Sequence, residues 1–303
     1  MHAPLVVLGG GPGGYAAAFM AADLGMEVTL VEKDTRLGGT CLLRGCIPSK
    51  ALLHVGRVVA EVREMQDWGV HFSAPKIDID AVRDRKEKVI DALTGGLAQL
   101  AKRRNVKVVQ GQGMFTASNT LEVIQQDAGS QKITFDHCIL ASGSRPARIP
   151  AFDIGSPRVM DSTGALELED IPESLLVVGG GYIGLEMGTV YAELGSRVSV
   201  VELTDSLLPG ADRDLVKPLH RRLGDLFEAI RLNTKVTGLK DNGNGVDVSF
   251  EGPEGQTTET FSRVLVAVGR RPNSDGIGLE NTDVVMDSKG FVEVDKQQRT
   301  ADS

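Results

Sequence analysis

Short apolar runs alternate with segments of helical length along most of the chain. Residues 5–8 (LVVL) and 28–31 (VTLV) have the length of strands, and the same arrangement recurs at residues 175–178 (LLVV) and 198–201 (VSVV). Strands of a parallel sheet are covered by helices on both faces, so they read as continuous apolar runs and not as alternating ones. The pattern therefore predicts an α/β fold with parallel sheets.

The two pairs of runs belong to a sequence repeat. Residues 5–32 align with residues 175–202 at a constant offset of 170, and each copy contains a strand, a G-x-G-x-x-G turn, a helix, a Leu-Gly break and a second strand that ends in glutamate. The aligned pairs are Gly9 and Gly179, Gly11 and Gly181, Gly14 and Gly184, and Glu32 and Glu202. We predict two Rossmann-like dinucleotide-binding domains.

Each residue type in this turn has a physical reason. The first glycine permits the tight turn, the second lets the backbone approach a pyrophosphate, and the third lets the helix pack against the strand. The helix N-terminus supplies N–H groups for the phosphates, and the terminal glutamate can accept hydrogen bonds from ribose hydroxyls. Glu202 would repel a 2′-phosphate, and no arginine lies between it and Arg213, so NAD is favoured over NADP at the second turn.

Two further segments indicate domain boundaries. The runs CILASGSRP (138–146) and VLVAVGRRPN (264–273) both end in Gly, a basic residue and Pro. They place domain boundaries near residues 148 and 270, so we expect the first dinucleotide-binding domain to contain residues 1–148 plus 271–303 and the second to contain residues 149–270. Between them we predict helices over 51–66 and 80–103, the second with a solvated basic run, and a hairpin over 106–124.

Composition and charge narrow the function further. The net charge is −8 over 303 residues, which argues against a nucleic-acid partner. No apolar run reaches the roughly 18 residues needed to cross a bilayer, and no signal-peptide pattern precedes the first strand. These features predict a cytoplasmic protein that does not bind membranes. The five histidines match no metal or catalytic motif.

Two of the three cysteines lie five residues apart in GGTCLLRGCIPSK (38–50), namely Cys41 and Cys46. Three cysteines in a reducing compartment make a structural disulfide improbable, and a zinc site would need more ligands, which leaves a redox pair as the main candidate. Pro48 predicts a helix that begins near Cys46, so a bridge requires Cys41 to lie in a loop or distorted turn. Lys50 would share a helix face with Cys46. Cys138 is interpreted as a buried apolar residue.

The cysteine segment resembles the redox-disulfide motif of the class I flavoprotein disulfide reductases, and its Ser-Lys ending is most similar to the dihydrolipoamide dehydrogenases. The resemblance extends over essentially the whole chain, through GQGMF, LASGS, DSTGAL, GGGYIGLEMG and AVGRRPN. It implies oxidation of dihydrolipoamide by NAD through a Cys41–Cys46 disulfide and bound FAD. It also implies lipoyl domains of 2-oxo-acid dehydrogenase complexes, or the glycine-cleavage lipoyl protein, as partners.

The resemblance also implies roles for individual residues. Cys41 would be the interchange thiol, Cys46 the thiol next to the flavin, and Lys50 would pair with Glu186. FAD would be bound through Gly9, Gly11, Gly14, Glu32, Thr40, Lys50, Gly113, Ser142, Gly143 and Ser144. NAD would be bound through Gly179, Gly181, Gly184, Glu202, Val236 and Gly269.

Members of this class continue past the position of Ser303, into a dimerisation domain that carries a His-Glu acid-base pair. From the resemblance we expect the 303-residue chain to be an incomplete form, with weak FAD binding, little or no turnover, and a homodimer only in a full-length protein. Two alternatives remain open: a related mercuric or glutathione-type disulfide reductase, and a non-catalytic dinucleotide-binding module.

Overall fold

The computed structural model describes residues 1–125 and 129–302. The chain separates into two units, each formed from segments distant in sequence. The first contains residues 1–46, 90–145 and 270–303, and the second contains residues 47–89 and 146–269. The domain bounds expected from the sequence stay a prediction; residues 47–89, expected in the first domain, pack with the second unit.

The first unit is built on one six-stranded sheet, ordered β3-β2-β1-β6-β5-β4. The strands are β1 (His2–Leu8), β2 (Val28–Glu32), β3 (Lys107–Gln110), β4 (Gln112–Ala117), β5 (Thr120–Gln125) and β6 (Gly129–Leu140). Strands β3, β2, β1 and β6 are parallel, whereas β6, β5 and β4 pair antiparallel. Every residue of β2 is buried, which explains its unbroken apolar run.

Helices of the first unit cover this sheet. They are α1 (Pro12–Asp23), α2 (Gly39–Arg44) and the C-terminal part of α4 (Ile79–Arg103). One face of the sheet packs with α1 around Leu5, Val7 and Leu30, and a second cluster of buried side chains surrounds Val6, Leu121 and Ile133. Helices α1 and α4 therefore cover one face of the sheet, whereas the second cluster is formed by strand residues together with side chains from residues 277–292.

The second unit contains a five-stranded parallel sheet and a three-stranded antiparallel one, ordered β11-β10-β9-β15-β8 and β12-β13-β14. The strands are β8 (Val159–Met160), β9 (Ser174–Val178), β10 (Arg197–Val201), β11 (Ala229–Arg231), β12 (Lys235–Asp241), β13 (Val246–Gly252), β14 (Gly255–Phe261) and β15 (Arg263–Val266). Two short strands, β7 (Ser144–Pro146) and β16 (Arg270–Pro272), pair where the chain leaves and re-enters the first unit.

The helices of the second unit are α3 (Cys46–Glu64, from Ile47 on), the start of α4, α5 (Ser162–Glu167), α6 (Tyr182–Leu194) and α7 (Arg213–Leu226). The core lies between the parallel sheet and α6, which buries nine of its thirteen residues. Leu52 of α3 belongs to this same core. The helix that begins at Cys46 is thus fixed to α6 by apolar packing.

Two element predictions differ from the structure. The hairpin is formed by β4 and β5 alone, because residues 107–110 pair parallel with β2. The basic run of α4 is not wholly solvated: Lys86 is 4% exposed and its Nζ donates to the Leu166 carbonyl at 2.7 Å. The helices predicted over 51–66 and 80–103 correspond to α3 and α4.

Candidate functional site

The first glycine-rich turn lies at the carboxyl end of β1, between its neighbours β2 and β6. Gly9 has φ +109°, and a Cβ there would lie 2.2 Å from the Ala141 carbonyl oxygen. A Cβ on Gly14 would lie 1.7 Å from the Gly9 carbonyl oxygen. These glycines are therefore required by the protein's own packing, at the switch point where α/β sheets bind ligands.

The second glycine-rich turn has the same geometry at the end of β9. Gly179 also has φ +109°, and its Cβ would lie 2.5 Å from the Ala267 carbonyl oxygen. A Cβ on Gly184 would lie 2.3 Å from the Gly179 carbonyl oxygen. The sequence repeat is thus also a repeat of backbone structure.

The middle glycine of each turn faces open space. A Cβ on Gly11 would meet no atom closer than 3.7 Å, and one on Gly181 would meet nothing within 4 Å. Both are N-cap residues without a side-chain cap. Uncapped N–H groups and the positive helix end are the donors that a pyrophosphate needs, so both turns fit a dinucleotide.

A buried glutamate ties each turn to the strand beside it. Glu32 accepts from the Gly10 N–H at 2.5 Å and from the Asp34 N–H at 2.8 Å. Glu202 accepts from the Gly180 N–H at 2.6 Å and from the Thr204 N–H at 2.9 Å. Burial raises the pKa of Glu32 above its usual value, and the Gly10 N–H offsets part of that rise. Sequence reasoning assigned these carboxylates to ribose only and missed their role in holding the turns.

The predicted FAD contacts Ser142, Gly143 and Ser144 lie directly after β6, and Gly143 has φ +72°. Arg270 donates to the Ser144 hydroxyl at 2.8 Å and to its carbonyl at 2.5 Å. Asn273 donates to the Ser142 carbonyl at 2.9 Å.

These three hydrogen bonds give a structural reason for Arg270 and Asn273 of the AVGRRPN segment, which from sequence indicated only a domain boundary. The Thr40 hydroxyl also lies 3.5 Å from the Ser144 carbonyl oxygen.

The remaining predicted cofactor contacts are backbone positions. Gly113 lies in β4, where a Cβ would be 2.6 Å from the Leu8 Cδ1. Val236 is 7% exposed in β12, with its side chain in the core. Gly269 has φ +127° and follows β15. Only main-chain atoms of these residues are suited to contact a ligand.

The cysteine motif consists of two helices separated by a glycine. Cys41 lies in the six-residue helix α2, and Cys46 is the first residue of α3. The sequence predicted a loop or distorted turn at Cys41, and this prediction is wrong, because Cys41 is helical. Gly45, with φ −153° and ψ −113°, breaks the helical path between the two cysteines. Cys138 is separate from them, and burial raises the pKa of its thiol to about 12.

Lys50 and Glu186 form an ion pair within the second unit. The Lys50 Nζ lies 2.7 Å from Oε1 and 2.9 Å from Oε2 of Glu186. The Ser49 hydroxyl, on a residue 5% exposed, donates to the Glu186 Oε2 at 3.1 Å. Sequence reasoning found the ion pair through a resemblance but missed Ser49, whose burial has no sequence signal. The pair places a cation one helical turn after Cys46.

A second ion pair joins α3 and α6 further along. Arg63 donates to the Glu193 carboxylate at 3.0 Å and to its carbonyl at 2.9 Å. Glu193 is 4% exposed, and a Cβ on Gly56 would lie 3.1 Å from the Glu193 Cβ, so the two helices approach closely there. The orientation of Lys50 toward Glu186 is therefore supported along the length of α3.

The chain thus has two glycine-rich turns of dinucleotide-binding type, and Cys46 begins a helix whose Lys50 is paired with Glu186. The family model for pyridine nucleotide-disulphide oxidoreductases matches residues 3–303. The chain belongs to this family. Membership implies FAD and NAD(H) as cofactors, and the open second glycines and uncapped helix ends fit both.

The chain is similar to curated relatives named dihydrolipoyl dehydrogenase. It is 50% identical over 301 residues to the protein from Vibrio parahaemolyticus, covering 99% of this chain and 63% of the relative. The corresponding protein of Haloferax volcanii is 42% identical over 299 residues, covering 98% of this chain and 62% of the relative. The chain thus spans about 63% of the length of the curated relatives it matches.

Solved structures agree in fold. RclA of Escherichia coli, described as an HOCl-induced flavoprotein disulfide reductase in complex with Cu(II), superposes with a TM-score of 0.85 at 29% identity, over 100% of this chain and 64% of that one. LpdA of Mycobacterium tuberculosis superposes with a TM-score of 0.89 at 26% identity, over 99% and 66%. Within residues 1–125 and 129–302, no helix has the length and apolar character of a membrane span.

Proposed function

We propose that the chain carries the dinucleotide-binding and redox-cysteine part of a dihydrolipoyl dehydrogenase that oxidises dihydrolipoamide with NAD. The observation that carries the proposal is the ion pair at 2.7 Å between Glu186 and Lys50, which lies on the helix that begins at Cys46. A non-catalytic binding module would not need a cysteine pair, a lysine and a glutamate kept together. The 50% identity to a named dihydrolipoyl dehydrogenase supports the same substrate.

In the proposed reaction, a substrate thiolate attacks Cys41 of the Cys41–Cys46 disulfide, and Cys46 leaves as a thiolate. The second substrate thiol then displaces Cys41, so that the substrate closes its own disulfide and loses two electrons and two protons. The Cys41–Cys46 dithiol that remains would return to the disulfide by giving up two electrons and two protons. Bound FAD would supply the two-electron acceptor for this step and hydride transfer to NAD. Lys50, held by Glu186, supplies a positive charge to the electron-accepting side.

The proposed cofactor contacts follow from the two turns. FAD would be bound by Gly9, Gly11, Gly14, Glu32, Thr40, Lys50, Gly113 and Ser142–Ser144, and NAD by Gly179, Gly181, Gly184, Glu202, Val236 and Gly269. The choice of NAD is supported by the surroundings of Glu202. Arg213, the next arginine in sequence, donates to the carbonyls of Leu207, Leu208 and Ala211 and is thereby occupied. A 2′-phosphate would meet a buried carboxylate there.

The partners we propose are the lipoyl domains of 2-oxo-acid dehydrogenase complexes or of the glycine-cleavage system. A full-length form would act as a homodimer in the cytoplasm. The net charge of −8 and the absence of a membrane-spanning helix among the described residues are compatible with this setting.

The half-reaction tests the proposal without requiring turnover. The protein is reconstituted with FAD and titrated anaerobically with dihydrolipoamide, while the visible flavin absorption is recorded. We expect reduction in the wild-type protein and at least a hundredfold slower reduction in Cys46→Ser and Cys41→Ser, because exchange needs both thiols. Glutathione disulfide and mercuric ion, with NADH as reductant, serve as comparison substrates.

Reoxidation by NAD and by NADP then tests the nucleotide. We expect NAD to be preferred, and Glu202→Ala to lower that preference about tenfold, which corresponds to about 1.4 kcal/mol. Equal flavin reduction in the wild-type and cysteine variants would contradict the proposal. Faster reaction with glutathione disulfide or mercuric ion would favour the related reductases.

A further inference from the structure

Arg44 lies between the two cysteines and has no role in the function proposed above. It is the last residue of α2, three positions after Cys41 and two before Cys46. Its Nη2 donates to the Oδ2 of Asp34, a residue in the loop after β2. The side chains are 37% and 24% exposed, so the ion pair is partly withdrawn from water.

One attachment of the short helix α2 is at its N-terminal end, where the N–H of its N-cap residue Gly38 donates to the Gly10 carbonyl at 2.8 Å. The helix has six residues and no side-chain N-cap, and Leu42 is its one buried side chain. The Thr40 hydroxyl contributes only a long 3.5 Å contact to Ser144. Helices of this length are not stable alone in water, so tertiary contacts must fix the direction of α2. Among those contacts, the Arg44–Asp34 pair is the charged one.

The other end of the pair is anchored firmly. The Asp34 N–H donates to the Glu32 Oε1 at 2.8 Å, and the Glu32 Oε2 accepts from the Gly10 N–H at 2.5 Å. Glu32 is 6% exposed at the end of a fully buried strand. Arg44 thus attaches the cysteine helix to the rigid part of the first unit.

We propose that Arg44 is a positioning residue that holds α2, and with it Cys41, in the orientation needed to form a disulfide with Cys46. The inference rests on the proposed redox role of the cysteine pair. Gly45 lacks a side chain and breaks the helical path between the two cysteines, so without the ion pair the C-terminal end of α2 can change its direction within the first unit. The pair thereby raises the effective concentration of one thiol at the other.

The test is the equilibrium of the 303-residue protein with glutathione, in which protein dithiol and glutathione disulfide give protein disulfide and two glutathione molecules. No lipoamide or nucleotide takes part, so the measurement is independent of the complete reaction. Mass spectrometry after acid quenching and alkylation gives the oxidised fraction of Cys41 and Cys46. We expect Arg44→Met to lower the equilibrium constant between about two- and fivefold, as is typical of a partly exposed ion pair.

The variant Asp34→Asn distinguishes a positioning effect of Arg44 from a purely electrostatic effect of its charge. Arg44→Met removes a positive charge near the thiols, whereas Asp34→Asn removes a negative one, so a purely electrostatic effect would shift the equilibrium in opposite directions. A positioning effect lowers the constant in both variants, because both break the pair. The double variant Arg44→Asp with Asp34→Arg restores the pair and should restore the constant to within twofold of wild type.

Arg36→Met is the matched control. Arg36 pairs with Asp91 at 2.5 Å and lies near the same loop, but this ion pair connects the loop with α4 and not with α2. It should leave the equilibrium constant unchanged. Circular dichroism and the melting temperature check that all variants fold.

An unchanged constant in Arg44→Met and Asp34→Asn, or opposite shifts in the two, overturns the inference while the proposed function stands. A wild-type protein that forms no Cys41–Cys46 disulfide at any glutathione ratio overturns both.

Discussion

The two glycine-rich turns are nearly identical in backbone and differ in what their helices carry. In both, the first glycine N–H donates at 2.8 Å to the carbonyl at the end of the neighbouring strand, Val31 or Val201. The following glycine donates to a buried glutamate at 2.5 Å or 2.6 Å. Two ligands that have an adenosine diphosphate half in common would require the same turn backbone at both sites.

The difference between the turns lies one helical turn further on. Ala16 of α1 corresponds to Glu186 of α6, and Glu186 binds Lys50 and Ser49. Helix α1 buries three residues and α6 buries nine. The two copies therefore share the backbone of the turn, whereas the second carries Glu186, bonded to Lys50 and Ser49, at the position where the first has Ala16.

The largest effect is expected from substitution of the third glycine of each turn. Gly14→Ala and Gly184→Ala place a Cβ at 1.7 Å and 2.3 Å from a carbonyl oxygen, and we expect each to destabilise its unit by about 3 kcal/mol and to abolish binding at its own turn. Thermal unfolding, FAD fluorescence quenching and NADH titration measure the three effects.

The middle glycines give the matched control. Gly11→Ala and Gly181→Ala should leave the melting temperature nearly unchanged, because their Cβ atoms meet nothing closer than 3.7 Å. They should nevertheless weaken binding of the dinucleotide at least tenfold, since the methyl group occupies the pyrophosphate approach. If the third-glycine and middle-glycine variants had equal melting temperatures and equal dinucleotide affinities, the assignment of the turns as dinucleotide sites would be contradicted.

A medium effect is expected where the copies differ. Glu186→Ala makes the second copy resemble the first, and we expect flavin reduction by dihydrolipoamide to slow about tenfold, because Lys50 is no longer held. NADH binding should change less than twofold, since residue 186 lies outside the glycine-rich turn. Stopped-flow absorbance and NADH fluorescence measure the two quantities.

Glu61→Gln is the control for this variant. Glu61 pairs with Arg57 four residues earlier on the exposed side of α3 and makes no contact with α6 among the described hydrogen bonds. It should have wild-type kinetics. If Glu186→Ala lost as much NADH affinity as reduction rate, Glu186 would be a nucleotide-binding residue, and the two copies would then differ in binding as well.

Features encoded locally were predictable from the sequence. The strand-turn-helix repeats, the glycines at positive φ and the helix that begins at Cys46 follow from short-range rules on glycine, proline and apolar runs. Glu32 and Glu202 were found for the same reason, by their spacing from the glycines.

Features that depend on distant partners were not predictable. Lys86 belongs to a run of charged residues, yet it is buried, and the Leu166 carbonyl, 80 residues away, accepts a hydrogen bond from its Nζ. Arg270 and Arg44 were likewise missed, since their partners Ser144 and Asp34 are brought close only by the fold. Cys41 was expected outside a helix because spacing alone does not reveal that Gly45 separates two helices.

The smallest expected effect concerns the ionisation of Glu32, the buried glutamate of the first turn. Burial raises the pKa of Glu32 in the folded protein above its unfolded value of 4.5. The folded protein therefore binds the Glu32 proton more tightly than the unfolded chain does, so the contribution of this group to stability is full below pH 4.5 and is lost as the pH rises through the folded pKa.

Glu32→Gln removes this titration and keeps one acceptor oxygen. We expect the free energy of unfolding of the wild-type protein, relative to Glu32→Gln, to fall by less than about 1 kcal/mol between pH 4.5 and pH 7.5. Urea unfolding followed by circular dichroism at several pH values measures the difference. A relative stability that rises over this range would mean that the N–H groups of Gly10 and Asp34 outweigh burial, so that the first turn favours the charged carboxylate.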